Sequence, residues 1–136
     1  MPEVEGKKIG KIYCVPIFSC PDFFQAGDFI LKTLASLFTQ HVRVSDLVMR
    51  YGGEEFLLAF NGASAVDAYQ IMEKMRTMAE TMKLQYGSFE LKITFSCGVA
   101  SFPSEKVHDV NSLIQQADAA LYRAKESGRN RTVLSA

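Results

Sequence analysis

The stretch RYGGEEFLLAF, Arg50 to Phe60, places Gly52 and Gly53 directly ahead of Glu54 and Glu55. Strand-like runs flank the four residues, DLVMRY before and EEFLLAF after. Gly52-Gly53 therefore predicts a two-residue hairpin loop, because such loops need positive φ. Within a regular strand the two glutamates face opposite ways, but at the mouth of a hairpin both can approach one point. Taken alone the pair has two readings, a solvated turn or a metal and phosphate site. Paired carboxylates suit Mg²⁺, a hard ion that prefers oxygen ligands, and glycines let a phosphate come close to backbone N–H groups.

Outward from the hairpin, the chain alternates strand and helix patterns. Upstream, GKIYCVPIF (Gly10 to Phe18) reads as a buried strand, with Pro16 awkward in its ladder. Asp28 to Gln40 carries Ile30, Leu31, Leu34, Leu37 and Phe38 on one helical face. Downstream, Ser64 and Asp67 form a capping pair ahead of a helix bearing Val66, Tyr69, Met72, Met75, Ala79 and Met82. LKITFSCGVASFP reads as a two-faced strand, with Leu91, Ile93, Phe95, Cys97 and Val99 opposed to Lys92, Thr94 and Ser96. Leu113, Ile114, Ala117, Ala120, Leu121 and Ala124 mark a last helix, Gly128 suits its C-terminus, and RTVLS is a short final strand. The order β-α-β-β-α-β-α-β predicts an α+β fold, a central mixed sheet flanked by helices.

Composition bounds the function. The 136 residues fit one domain, 1–136, and a hydrophobic fraction of 48% supplies a core. Fifteen basic and 15 acidic residues cancel, which argues against broad binding to DNA or an anionic membrane. The 3 cysteines, Cys14, Cys20 and Cys97, fit no CxxC spacing, so neither a disulfide frame nor a zinc site is expected and a reducing, cytoplasmic setting is. No apolar run is long enough to span a bilayer, and the first residues lack the apolar core of a signal peptide.

A second functional segment is AKESGRNR. Lys125 and Arg129 are four apart, on one face as the helix ends, with Arg123 and Arg131 nearby. Two readings stand here also: favourable charge at a helix C-terminus, or a phosphate clamp.

RYGGEEF, TFSCGVASFP and ADAALYRAKESGRNR together closely resemble the GGDEF family of diguanylate cyclases, here in a GGEEF form. The resemblance covers roughly residues 25–133. It implies a nucleotide-cyclase-like fold with a β-hairpin carrying GGEEF, and the conversion of two GTP to cyclic di-GMP and two pyrophosphates. It assigns Glu54 and Glu55 to Mg²⁺ (or Mn²⁺) and to the attack of the ribose 3′-OH on the α-phosphate. Gly52 and Gly53 make room for the GTP phosphates, which Lys125 and Arg129 bind, and Asp28 recognises the guanine edge. Arg43 and Asp46 of RVSD match the RxxD inhibitory site for cyclic di-GMP, with Lys74 or Arg76 assisting from the next helix.

The start of the chain departs from the family pattern. The first helix and an LTGLPNR-like stretch have no counterpart, and in CPDFFQAGD the expected metal aspartate aligns with Cys20, with Asp22 and Phe24 following. The segment with the guanine-binding Asn and a Gly-His is missing between Phe24 and Gln25. Thiolate is a poor Mg²⁺ ligand, so Asp22 is the remaining metal candidate there. Three functions stay open: a cyclase acting as a homodimer, with an upstream sensory or dimerising module in the parent protein; a degenerate domain that binds cyclic di-GMP; and a protein-interaction domain.

Overall fold

The computed structural model describes residues 7–13, 23–102, 104 and 106–135, with side chains from Gly27 onward. The expectations for Cys14, Cys20 and Asp22 lie outside the described residues. Ten elements follow in chain order: β1 (Lys7–Tyr13), α1 (Phe23–His41), β2 (Leu47–Gly52), β3 (Glu55–Asn61), α2 (Ala65–Thr81), β4 (Leu84–Tyr86), β5 (Phe89–Leu91), β6 (Cys97–Val99), α3 (Val110–Glu126) and β7 (Thr132–Leu134). The main sheet has the order β2-β3-β1-β6-β7. Only its β6–β7 pair is parallel, so the sheet is mixed, as expected.

Period-2 alternation assigns the layers. Cys97 and Val99 of β6 and Phe56, Leu58 and Phe60 of β3 join the main core with Ile30, Leu34 and Phe38 of α1 and Met72 and Met75 of α2. Phe38 meets Phe56 and Phe95 edge-on, at centroid distances of 5.3 and 5.5 Å. Gly98, between Cys97 and Val99, faces the other way, against the backbone of α3 at Ala117 and Leu121. Helices α1 and α2 thus cover one face of the sheet and α3 the other. β2 is an edge strand, and its Leu47 and Met49 are exposed on the α3 side.

Helix starts follow their caps. The Ser64 side chain accepts from the Asp67 N–H at 3.0 Å and Asp67 returns the bond to the Ser64 N–H at 3.2 Å, the expected capping box. Ser64→Ala should cost about 1 kcal/mol of stability in urea denaturation, with the fold retained. Asp109 and Ser112 cap α3 in the same way. The Ser112 backbone N–H holds the Asp109 carboxyl below the usual carboxylate range. A depressed folded value means that this cap stabilises above the usual range and is lost as pH falls through the lowered one.

Three expectations are corrected. β1 occupies Lys7–Tyr13, so it begins three residues before the expected Gly10, and the rest of the predicted run, residues 14–18 with Pro16, lies outside the described residues. The strand read across LKITFSCGVASFP is broken. Its first residue belongs to a small β4–β5 hairpin around Gly87-Ser88, and ladder pairing resumes only at Cys97. The predicted alternation survives in the gap, where Ile93 and Phe95 are buried and Lys92 is exposed. The hairpin between Gly52 and Glu55 turns one residue later than expected. Gly52 pairs with Glu55, so the two loop residues are Gly53 and Glu54, and a register shift between Arg50 and Gly52 takes up Tyr51. Only Gly53 of the four has positive φ, 49°, which puts the conformational demand on the first loop position.

Candidate functional site

Sheet register decides which chemical groups share an end of the molecule. Glu55, the first residue of β3, stands opposite Tyr13, the last of β1. On the other side of β1, Lys11 pairs with Gly98, so Ser96 stands level with the exit of β1. β7 runs parallel to β6 with Thr132 beside Cys97, and the turn before it is anchored there: the Asn130 N–H donates to Ser96 Oγ at 3.2 Å and the Cys97 N–H to the Arg131 carbonyl at 3.0 Å. The acidic hairpin, the end of β1 and the basic turn Gly128–Arg131 therefore lie along one end of the sheet. Across β3, β1, β6 and β7, three strand spacings separate hairpin from basic turn, about 14 Å.

Glu54 is exposed at the turn and Glu55 half-buried at its mouth. Arg50 Nε donates to the Gly53 carbonyl at 2.9 Å, which ties the turn to β2. No Cβ added at Gly52 or Gly53 would meet a neighbour within 4 Å, so the backbone there is open to a ligand. Among the described residues no three His, Cys, Asp or Glu side chains gather as a metal cage. The donor set is the Glu54–Glu55 pair. That fits Mg²⁺, which keeps several waters and binds through one or two carboxylates plus substrate phosphates.

Lys125 is in the last turn of α3, but Arg129 is not on the helix. α3 ends at Glu126, Ser127 caps it, and Gly128, Arg129 and Asn130 all have positive φ. The shared helical face expected for Lys125 and Arg129 is thus replaced by a left-handed turn, whose Arg129 N–H donates back to the Ala124 carbonyl at 2.9 Å. Asp28 sits exposed on α1 and pairs with Lys32 at 3.2 Å. Sequence reasoning passed over Asn130, which joins this turn to α2; its position between two arginines after a helix-ending glycine was the available signal.

The other end of the β2–β3 hairpin holds Arg43 and Asp46, roughly 20 Å from the turn by strand length. Asp46 is buried, its side chain 1% exposed. Its Oδ2 accepts from the Arg43 N–H at 2.9 Å and its Oδ1 from the Asn61 N–H at 3.0 Å, which pins the entry to β2 against the end of β3. The Arg43 guanidinium is 61% exposed, 3.6 Å from Asp46, and donates to the Asn61 carbonyl. It opens onto a groove of about 440 Å³ shared with Gly62, Asp67, Gln70 and Lys74. Lys74 is the cation from α2 at this groove. Arg76 is engaged elsewhere, with Glu73, Glu80 and Asn130.

The "Diguanylate cyclase, GGDEF domain" family matches residues 24–131. The chain belongs to this family. Diguanylate cyclase A of Treponema denticola is 36% identical over 81% of this chain, and diguanylate cyclase DosC of Escherichia coli 40% identical over 79%. The chain spans 29% and 23% of those relatives, well under a third of their length. Among solved structures, the GGDEF domain of DgcB from Caulobacter crescentus in complex with c-di-GMP superimposes with a TM-score of 0.79 at 27% identity, covering 98% of this chain and 81% of that one. The active GGEEF domain of a diguanylate cyclase from Vibrio cholerae gives 0.76 at 25% identity, covering 96% and 82%. The expected GGDEF fold is therefore confirmed, and among the described residues of this GGDEF domain no helix is long and apolar enough to cross a membrane.

Proposed function

We propose that this GGDEF domain is a diguanylate cyclase that converts two GTP to cyclic di-GMP and two pyrophosphates, and that its product binds back at Arg43 and Asp46. The single observation that carries the reading is the register that sets Glu54 and Glu55, the exit of β1 and the Lys125–Arg129 turn along one end of the sheet. A triphosphate reaching from the basic turn to the hairpin meets cations at one end and carboxylates at the other.

Each group then has a task. Lys125 and Arg129 hold the phosphates of GTP, arginine through its planar fork. Gly53 and Gly52 present open backbone, and Asp28 faces the guanine edge. Glu54 and Glu55 would hold Mg²⁺ (or Mn²⁺), which supplies positive charge to the phosphate oxygens. On this reading the Glu54–Glu55 pair also assists the attack of the ribose 3′-OH on the α-phosphate. Two domains face each other, each with one GTP, so turnover requires a homodimer and is raised by any attached module that increases effective concentration. A cytoplasmic setting is part of the same reading, and there Cys97, whose thiol burial pushes well above its ordinary range, is an unreactive core residue.

A second reading, a receptor for cyclic di-GMP without turnover, is favoured by the Arg43–Lys74 groove. One experiment separates the two. The protein is incubated with GTP and Mg²⁺ and assayed for cyclic di-GMP, and in parallel titrated with cyclic di-GMP alone. Product formation supports the cyclase; saturable binding without product leaves the receptor; the absence of both product and binding removes both readings and leaves the interaction domain. In the cyclase case Lys125→Ala and Arg129→Ala should each weaken GTP binding about tenfold or more, through the lost charge-assisted hydrogen bonds, with the fold retained. Wild-type GTP affinity in both variants would dismiss the clamp.

A further inference from the structure

Two consecutive non-glycine residues, Arg129 (φ 63°) and Asn130 (φ 46°), occupy the left-handed region. Asparagine tolerates that region; arginine does so rarely, and such a conformation persists only where the surroundings over-determine it. Here they do. The Asn130 amide is held at both ends, its Oδ1 accepting from Arg76 Nη1 at 2.9 Å and its Nδ2 donating to Glu80 Oε2 at 3.0 Å. Its backbone N–H is bonded to Ser96. Arg76 is in turn fixed by Glu73 and Glu80 on the same helix. Burial works against the Arg76 charge, but the two glutamates outweigh it and raise its pKa, so the guanidinium remains a donor. The hydrogen bond from Asn130, against slight burial and with help from the Arg76 charge, keeps the Glu80 carboxyl below the usual range, so Glu80 remains an acceptor at neutral pH. Side chains of α2, on the far side of the sheet from α3, thus grip the turn that carries Arg129.

We propose that Asn130, clamped by Arg76 and Glu80, is a positioning residue that presets the left-handed turn so that Arg129 meets the phosphates without a search. The proposal rests on the reading of Arg129 as a phosphate ligand. Its physical content is that the strain at Arg129 is borne before ligand arrives, so less ordering remains to be done on binding.

The test is a cycle on the intact chain with GTP in Mg²⁺ as the probe. Asn130→Gly removes both amide contacts yet leaves the backbone free to adopt positive φ. GTP affinity should fall about tenfold, while cyclic di-GMP affinity at the Arg43 groove and the urea midpoint stay near wild type. In an Arg129→Ala background the same substitution should change GTP affinity no further, because its route is already gone. Wild-type GTP affinity in Asn130→Gly, or an equal loss in the Arg129→Ala background, would overturn the proposal. Failure of the wider reading looks different: there Arg129→Ala itself binds GTP as wild type does. Should Asn130→Gly not fold, Arg76→Lys replaces it, since it keeps the charge facing Glu73 and Glu80 but loses the fork to Asn130. The same pair of outcomes then decides.

Discussion

Gly98→Ala should destabilise the domain by about 3 kcal/mol or more, the upper end of overpacking penalties. A Cβ at this position would lie 2.1 Å from the Ala117 carbonyl oxygen and 2.4 Å from the Leu121 nitrogen. Both are backbone atoms of α3 and neither can swing aside as a side chain does. Gly98 does not have positive φ, so the cause is space and not conformation. Relief requires α3 to lift from β6, and that helix ends in Lys125 and the turn bearing Arg129. Against a typical total of about 5–15 kcal/mol for a domain, a loss of that size is a large share. Urea denaturation of the variant measures it directly. A midpoint within error of wild type would mean that α3 does not pack backbone-to-strand at this position.

The fold was largely legible because its periodicities were clean. Met72, Met75 and Ala79 repeat at helical spacing and all three are buried in α2. Leu91, Ile93 and Phe95 alternate and are buried even where no ladder pairs them. Turn details were less legible, because residue type constrains them weakly. Gly-Gly marks a hairpin, but only strand register decides which glycine begins the loop, and here Glu55 is held opposite both Gly52 and Tyr13. The β4–β5 hairpin had a usable signal, Gly87-Ser88 between short alternating runs, masked by the longer apolar pattern that follows.

The candidate site divides in the same manner. Its residue types stood out in the sequence, whereas the alignment of distant segments along one sheet end depends on pairing partners that no local pattern specifies. Helical spacing placed Lys125 and Arg129 on one face, yet the helix stops between them at Ser127. Asn130 was invisible for a related reason: its partners Arg76 and Glu80 are about 50 residues away and reach it only once α2 lies beside the start of β7.

Arg43 and Asp46, adjacent in one motif, should respond to substitution in opposite ways. Asp46→Ala strands two backbone donors, the N–H groups of Arg43 and Asn61, that the carboxylate now accepts at 2.9 and 3.0 Å. Each partly buried donor left without an acceptor costs about 1–3 kcal/mol, so a loss near 3 kcal/mol is expected in denaturant. Arg43→Ala removes a largely solvent-exposed guanidinium that lies 3.6 Å from the buried Asp46 carboxylate and bonds the Asn61 carbonyl, but it leaves both backbone donors on Asp46 in place, so its stability loss should be the smaller of the two. On the proposed reading, though, Arg43 is the group that meets the ligand, beside Lys74 in the groove. Calorimetry with cyclic di-GMP should therefore find Arg43→Ala folded and at least about tenfold weaker, since charge-assisted bonds carry about 1.5–3 kcal/mol. Asp46→Asn separates the two contributions, because its amide oxygen still accepts one N–H while the charge beside Arg43 is gone. It should recover part of the lost stability. An Arg43→Ala variant as unstable as Asp46→Ala would make both residues structural, and equal ligand affinity in wild type and Arg43→Ala would remove the groove as a cyclic di-GMP site.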